Sequence, residues 1–206
     1  MKLYYSPGAC SLAPHIVARE AGLAIDLVKV DLASHKTATG ADYFTINPRG
    51  YVPAIALDDG EIHTEVAALV QYLAEQAPQS NLLPPAGSKE RFRMNQWLTF
   101  VSSELHKTFS PWLWHAETAE STKQAARDKL AVRFAELDRH LADRAYLTGD
   151  SFTVADAYAF TIVNWSNFLK IDLKPYPNLS AFMARVAARP KVREALKAER
   201  LVAAAA

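Results

Sequence analysis

An α+β domain followed by an all-helical one is the fold class this sequence predicts, on three observations. Short β-like runs alternate with helical stretches up to about residue 77. The proline-rich stretch "APQSNLLPPAG" (77–87) then breaks the pattern. Beyond it, apolar residues recur only at helical spacing. The expected organisation is a first domain over 1–77, a linker over 78–87 and a helical domain over 88–206.

Each element has its own signal. "KLYY" (2–5) is a compact strand candidate ended by Pro7-Gly8. Cys10 to Glu20 suits a helix, with Gly22 where a C′ glycine stops one. "DLVKVDL" (26–32) alternates apolar and polar residues, as a half-buried strand does. Residues 34–50 lack a period and are rich in turn formers, so an irregular segment with one short helix is expected. "PAIALDDGEIHTE" (53–65) reads as a hairpin turning at Asp59-Gly60, and an apolar helix follows from Glu65 to Gln76. Past the linker, Ser88 is placed to cap a helix carrying Trp97, Leu98, Val101 and Leu105. Ala126, Leu130, Phe134, Leu137 and Leu141 mark another. Thr153 and Asp156 form a capping-box pattern with Asp in place of the usual Glu. Pro177 and Pro190 bracket a further helix, and the alanine-rich tail 202–206 reads as frayed.

Composition narrows the function. Half of the 206 residues are hydrophobic and 22% are charged, as in ordinary soluble chains. Basic and acidic residues are interleaved, the formal net charge is +1, and no basic run is present to track phosphates. Neither nucleic acid nor a membrane is an expected partner. No signal-peptide core and no spanning run of about 20 apolar residues is found. A single cysteine makes no intrachain disulfide, so the cytoplasm is the expected location. The six histidines show no ligand spacing and the seven glycines form no phosphate loop. Neither a metal nor a permanently bound cofactor is expected.

Four places can carry chemistry. Cys10 lies where a helix start can lower a thiol pKa, though a free cysteine is equally at home as a small buried hydrophobe. Pro53 either simply opens a strand or, if cis, turns the Val52 backbone outward toward an extended ligand. Glu65 and the N–H groups of residues 65–67 either cap a helix or hold an amino acid's charged ends. Thr99, Ser103 and His106, spaced four and three apart, fall on one helical face, where His106 can orient or deprotonate a thiol. Phe109, Trp112 and Trp114 are core residues or the wall of an apolar pocket.

Together, "MKLYYSPGACSLAPHI", "DYFTINPRGYVPA", "TEVAALVQYLAE", "SSELHKTFSP", "FTVADAY" and "ARPKVREAL" resemble a bacterial glutathione S-transferase of the beta class. In that class a cysteine stands where other classes use tyrosine or serine. The resemblance runs through the whole chain. It implies a thioredoxin-like first domain, an all-helical second domain (the cytosolic glutathione transferase fold) and a homodimer. It places the glutathione sulfur near Cys10 and His106, the two residues it makes catalytic. It implies that Val52, before a cis Pro53, pairs with the cysteinyl backbone, and that Glu65 and the N–H of Val66 hold the γ-glutamyl end. Thr99, Ser103, Glu104, Leu105 and His106 complete the pocket, in part from the partner subunit. Phe109, Trp112 and Trp114 receive the electrophile. A lysine is common in the class at position 35; here it is His35 with Lys36 adjacent, and the resemblance leaves the contact with the glycyl carboxylate to one or the other. The Thr153–Asp156 box is structural.

The expected activity is conjugation of glutathione, the co-substrate, to small hydrophobic electrophiles in detoxification. One alternative is a thiol reductase, peroxidase or reductive dehalogenase working through a mixed disulfide of Cys10 with glutathione. A binding protein that sequesters apolar ligands without turnover is the other.

Overall fold

A computed structural model describes residues 1–201 of the chain; the tail 202–206 lies outside them. Strand β1 (Lys2–Tyr5) forms where the sequence predicts and lies at the centre of a mixed sheet. It pairs in parallel with β2 (Asp26–Asp31), Leu3 opposite Leu27. On its other edge it pairs antiparallel with β4 (Ala54–Ala56), Leu3 opposite Ile55. Parallel neighbours need a crossover, and α1 (Leu12–Glu20) supplies it. Its stop is a Schellman motif: Leu23 N–H reaches the Ala18 carbonyl and Gly22 N–H the Arg19 carbonyl, with Gly22 at φ +70°. Among the described residues the sheet order is β3-β2-β1-β4-β5, with β3 (Lys36–Thr37) and β5 (Ile62–His63) at the edges.

Two features of this half differ from the sequence expectation. Strand β3 falls within the segment expected to be irregular, because two residues are too few to display a period. Helix α1 begins at Leu12 and not at Cys10, because a turn closed by Leu12 N–H to the Ala9 carbonyl carries the chain past the cysteine first. The hairpin does turn at Asp59-Gly60, and α2 (Val66–Glu75) follows it. Leu3, Leu12, Ile16, Ile55, Leu69 and Leu73 are fully or almost fully buried in this half.

The last helix, α9 (Pro190–Ala198), packs on α1. His15 and Glu199, both fully buried, are joined by a 2.8 Å hydrogen bond, and the second Glu199 oxygen accepts from Gly8 N–H at 2.9 Å. Arg189 grips Glu20 with two nitrogens. The compact units are therefore Met1–Leu83 with the chain from Ala188 onward, and Pro84–Ala187. The sequence expectation of a second domain over 88–206 differs in where it puts α9. Helix α9 had no element signal of its own in the sequence, and a packing partner so distant in the chain leaves no local signal either.

The second unit is helical among the described residues. Its first helix, α3 (Lys89–Phe100), is capped by Ser88, whose hydroxyl accepts from Arg91 N–H. It runs on as a π-helical segment, Val101–His106, and ends in the short α4 (Lys107–Phe109). Helices α5 (Glu120–His140), α6 (Val154–Val163), α7 (Trp165–Leu169) and α8 (Pro177–Ala187) complete it. Every residue of α6 is buried, with Met94, Phe134 and Phe182 also in the core. The capping box at its start is formed as predicted. Asp156 accepts from Thr153 N–H at 2.8 Å and, with its other oxygen, from Leu147 N–H at 2.8 Å. Among the described residues no helix is long and apolar enough to cross a membrane, and no cluster of His, Cys, Asp or Glu is placed to hold a metal.

Candidate functional site

In the first unit, the irregular segment does the positioning. The Tyr51 carbonyl accepts from the Tyr43 hydroxyl at 2.8 Å and from Asn47 Nδ2 at 2.7 Å. Tyr43 is fully buried in a cluster with Val30, Val52 and Ala54, and burial pushes its phenol up to about 12. It serves as a fixed donor. The chain leaving Tyr51 is thereby aimed, and the Val52–Pro53 bond is cis. Cys10, half-buried in the turn before α1, donates its Sγ–H to the Val52 carbonyl at 3.2 Å. Val52 N–H has no acceptor among the described residues. Two of the residues predicted from the sequence, far apart in the chain, thus meet. The helix-start donors expected beside the thiol are partly engaged: Leu12 N–H goes to the Ala9 carbonyl and Ala13 N–H to that of Cys10.

Glu65 precedes α2 at φ +71°, a conformation that a side chain resists, yet its carboxylate does not cap the helix. It pairs instead with Arg49 at 3.0 Å, at an exposed position. The N–H groups of Val66 and Ala67 have no acceptor among the described residues. Val66 itself is buried, so only its backbone is on offer. His35, also at positive φ, packs its ring 4.4 Å from that of Phe44, with Nδ1 buried and unpartnered. A Cβ on Gly50 would fall 2.8 Å from Phe44 and 2.9 Å from that Nδ1, so this approach requires the glycine. Lys36 opens β3 with its side chain exposed.

The predicted residues of the second unit do not share one face. Thr99 and Ser103 are exposed, each hydroxyl donating to the carbonyl four residues back. The π-helical segment widens the turn that follows, and His106 is rotated inward. Its Nδ1 lies 2.6 Å from the Tyr158 hydroxyl, and its ring lies edge-on to those of Tyr158 and Trp165, at 5.8 and 5.1 Å. Burial, with Lys107 adjacent, pulls the imidazole down to about 4. Glu104 is held by Arg133 at 2.8 Å and Lys129 at 3.3 Å, and these cations keep its carboxyl below the usual range. Leu105 is fully buried.

Of the three aromatic residues expected in the electrophile pocket, Phe109 belongs elsewhere. It is 0% exposed, packed against Phe134 and Trp165 in the core, and presents no surface. Trp112 and Trp114 are 46% and 45% exposed. Trp114 lies against Trp165 and Phe168, and Trp112 lines a cleft of about 400 Å³ with Pro111, His115 and Thr118. Tyr158, Arg49, Tyr43 and Asn47 were not legible as site residues. Each acts on a residue distant in sequence, and no spacing records that.

Comparison with known proteins extends these findings. The N-terminal domain model of the glutathione S-transferases matches residues 8–76, and the C-terminal domain model matches 100–190. Glutathione S-transferase GstA of Escherichia coli O157:H7 is 44% identical over 201 residues, covering 98% of this chain and 100% of the relative. The beta class glutathione S-transferase of Sphingomonas chungbukensis superposes with a TM-score of 0.94 at 48% identity, over 98% of this chain and 100% of that one. A sphingomonad glutathione S-transferase solved in complex with glutathione gives 0.93 at 46% identity, with the same coverage.

Proposed function

Since the chain belongs to the glutathione S-transferase family, in its bacterial beta class, we propose that it conjugates reduced glutathione to small hydrophobic electrophiles, a detoxifying activity of the cytoplasm. The observation that carries this reading is the meeting of Cys10 Sγ with the Val52 carbonyl, beside a Val52 N–H left for a ligand. In this reading the cysteinyl backbone of glutathione pairs with Val52 as an added strand would. The γ-glutamyl carboxylate takes the free N–H groups at the start of α2, and Glu65 takes its ammonium. His35 or Lys36 meets the glycyl carboxylate. His106 and, once the ligand draws it off the Val52 carbonyl, the Cys10 S–H donate to the ligand sulfur, which lowers the thiol pKa by stabilising its charged form. The thiolate then forms the C–S bond as the leaving group departs with the electron pair. Trp112 and Trp114 offer the apolar surface for the electrophile, and Phe109 supports them from the core.

The homodimer belongs to the same proposal, with Thr99, Ser103, Glu104 and the Leu105 backbone completing the partner's pocket. Exposed Phe44, Tyr51 and Phe92, 45%, 69% and 65% accessible, are the kind of side chains such an interface covers. Sedimentation at micromolar protein is expected to give a dimer; a monomer that conjugates at full rate overturns that part.

The test of activity is the conjugation rate with an aryl halide, wild type beside Cys10→Ala. Wild type is expected to exceed the uncatalysed rate clearly, and the variant to remain within about tenfold of it, as loss of one hydrogen bond to sulfur implies. No wild-type conjugation overturns the reading. Collapse of the variant with glutathione still bound makes Cys10 itself the reacting group, through a mixed disulfide.

A further inference from the structure

The histidine that the proposed mechanism puts at the glutathione sulfur can act in two ways, as a base that takes the thiol proton or as a donor to the thiolate. We propose that Tyr158 is a positioning residue that decides between them: its hydroxyl donates to His106 Nδ1, fixing the neutral Nε2–H tautomer, so that His106 serves as a hydrogen-bond donor to the bound thiolate and not as its general base. The inference rests on the reading of His106 as part of the glutathione site.

The geometry argues for this direction. The contact is 2.6 Å, short for oxygen and nitrogen, between a phenol with one strong O–H donor and an imidazole nitrogen with one strong lone pair. A hydrogen bond donated by the other ring nitrogen's partner is how a histidine tautomer is set. Tyr158 sits in the fully buried α6 and is itself 1% exposed, so its hydroxyl cannot turn to water instead. Trp165, 5% exposed, packs edge-on against the imidazole at 5.1 Å. With Nδ1 occupied as an acceptor, the proton of neutral His106 is on Nε2, and that atom has no hydrogen-bond partner among the described residues. Among the described residues, Tyr158 from α6 and Trp165 from α7 are in contact with His106, and Lys107 is adjacent on its own segment; none of these three is anionic. Burial and the lysine both disfavour the imidazolium, which agrees with a ring kept neutral.

The consequence for the proton is definite. A base would hold it on His106 after glutathione ionises. A neutral Nε2–H donor can accept a second proton only at its occupied Nδ1, and the tyrosine bond would then have to reverse, with the hydroxyl oxygen accepting. The thiol proton therefore leaves to water, and the thiolate remains facing an N–H.

The tautomer is read directly by nitrogen-15 NMR of histidine-labelled wild-type protein without ligand, at pH 7. The expected result is one His106 species protonated at Nε2, with Nδ1 at a hydrogen-bonded acceptor shift. In Tyr158→Phe, which keeps the ring, the Nδ1 signal moves and the two tautomers mix. That variant is also expected to lose about tenfold in kcat with the KM for glutathione within about twofold, and the bound thiolate absorbance should titrate at higher pH. His106 found protonated at Nδ1, or as an imidazolium, overturns the assignment whatever the activity, and needs no variant to fold. An Nε2–H tautomer in a protein whose His106→Ala variant conjugates as fast as wild type overturns instead the placement of His106 at the sulfur, and its role with it.

Discussion

At the scale of the residue, the site is built from groups held in positions they would not take alone. Glu65 is the clearest. Its φ of +71° costs about 1–3 kcal/mol for a residue with a side chain, and its carboxylate gives nothing back to the helix it precedes. Glu65→Gly is therefore expected to raise stability in urea by about 1 kcal/mol, once the looser unfolded chain is counted, while glutathione binding weakens at least about tenfold. A variant both less stable and unchanged in binding would show that the strained residue serves the fold and not the ligand. Cys10, Pro53 and Glu65 could be singled out in the sequence because each stands beside a predicted element boundary, and His106 because it follows Thr99 and Ser103 at helical spacing; their roles toward glutathione belong to the proposal. Phe109 was misplaced because an aromatic residue in a core and one on a pocket wall have the same sequence signature. Only the rings of Phe134 and Trp165 against it separate the two.

At the scale of the element, strong periodicity or a cap made a segment legible. The Ser88 cap, the Gly22 stop and the Thr153–Asp156 box all formed where predicted, since each is a local bond within a few residues. The π-helical segment was not legible: it adds residues to one turn without changing composition, and that rotates His106 away from Thr99 and Ser103. The place of α9 was not legible either, because a helix's apolar face does not name its partner. Beside the Arg189–Glu20 pair, what ties the α9 end to α1 is the buried Glu199 carboxylate, which serves His15 and Gly8 N–H at once. Glu199→Ala is expected to cost about 3–5 kcal/mol, the penalty for stripping one partner from a buried polar pair. Chemical unfolding of the full chain measures it, and a loss under about 1 kcal/mol would mean that apolar packing and the Arg189–Glu20 pair hold α9 without it. Because Gly8 lies two residues before Cys10, the same variant is expected to slow conjugation.

At the scale of the molecule, two buried ionisable groups in the helical unit set opposed responses to acid. His106 is held at about 4 against an ordinary 6.5, so the unfolded chain takes up the proton first. Its contribution is complete above about 6.5 and is lost as the pH falls to about 4. Asp156 is raised to about 6 from 3.8, because burial outweighs its hydrogen bonds. The folded state keeps that proton after the unfolded chain has released it, so stability falls as the pH rises from about 4 to 6. Each effect is about 3 kcal/mol at its full extent, and between pH 4 and 6 they largely cancel. Urea titrations across that range are expected to show a nearly level wild type. His106→Gln should make stability rise toward acid, and Asp156→Asn should make it fall more steeply. Parallel slopes in all three proteins would mean that other groups govern the acid response.

The return of α9 to the first unit has a bearing on how the protein is made. A ribosome releases the sheet, α1 and α2 first, but about a hundred residues of the other unit must follow before Glu199 exists to meet His15. The unit begun first is thus the last to be finished, and the contiguous helical unit is free to fold while its predecessor waits. During that interval the His15 side chain and the apolar residues of α1 lack their final cover. Until Glu199 emerges, that surface of the nascent chain is open to chaperones and to aggregation.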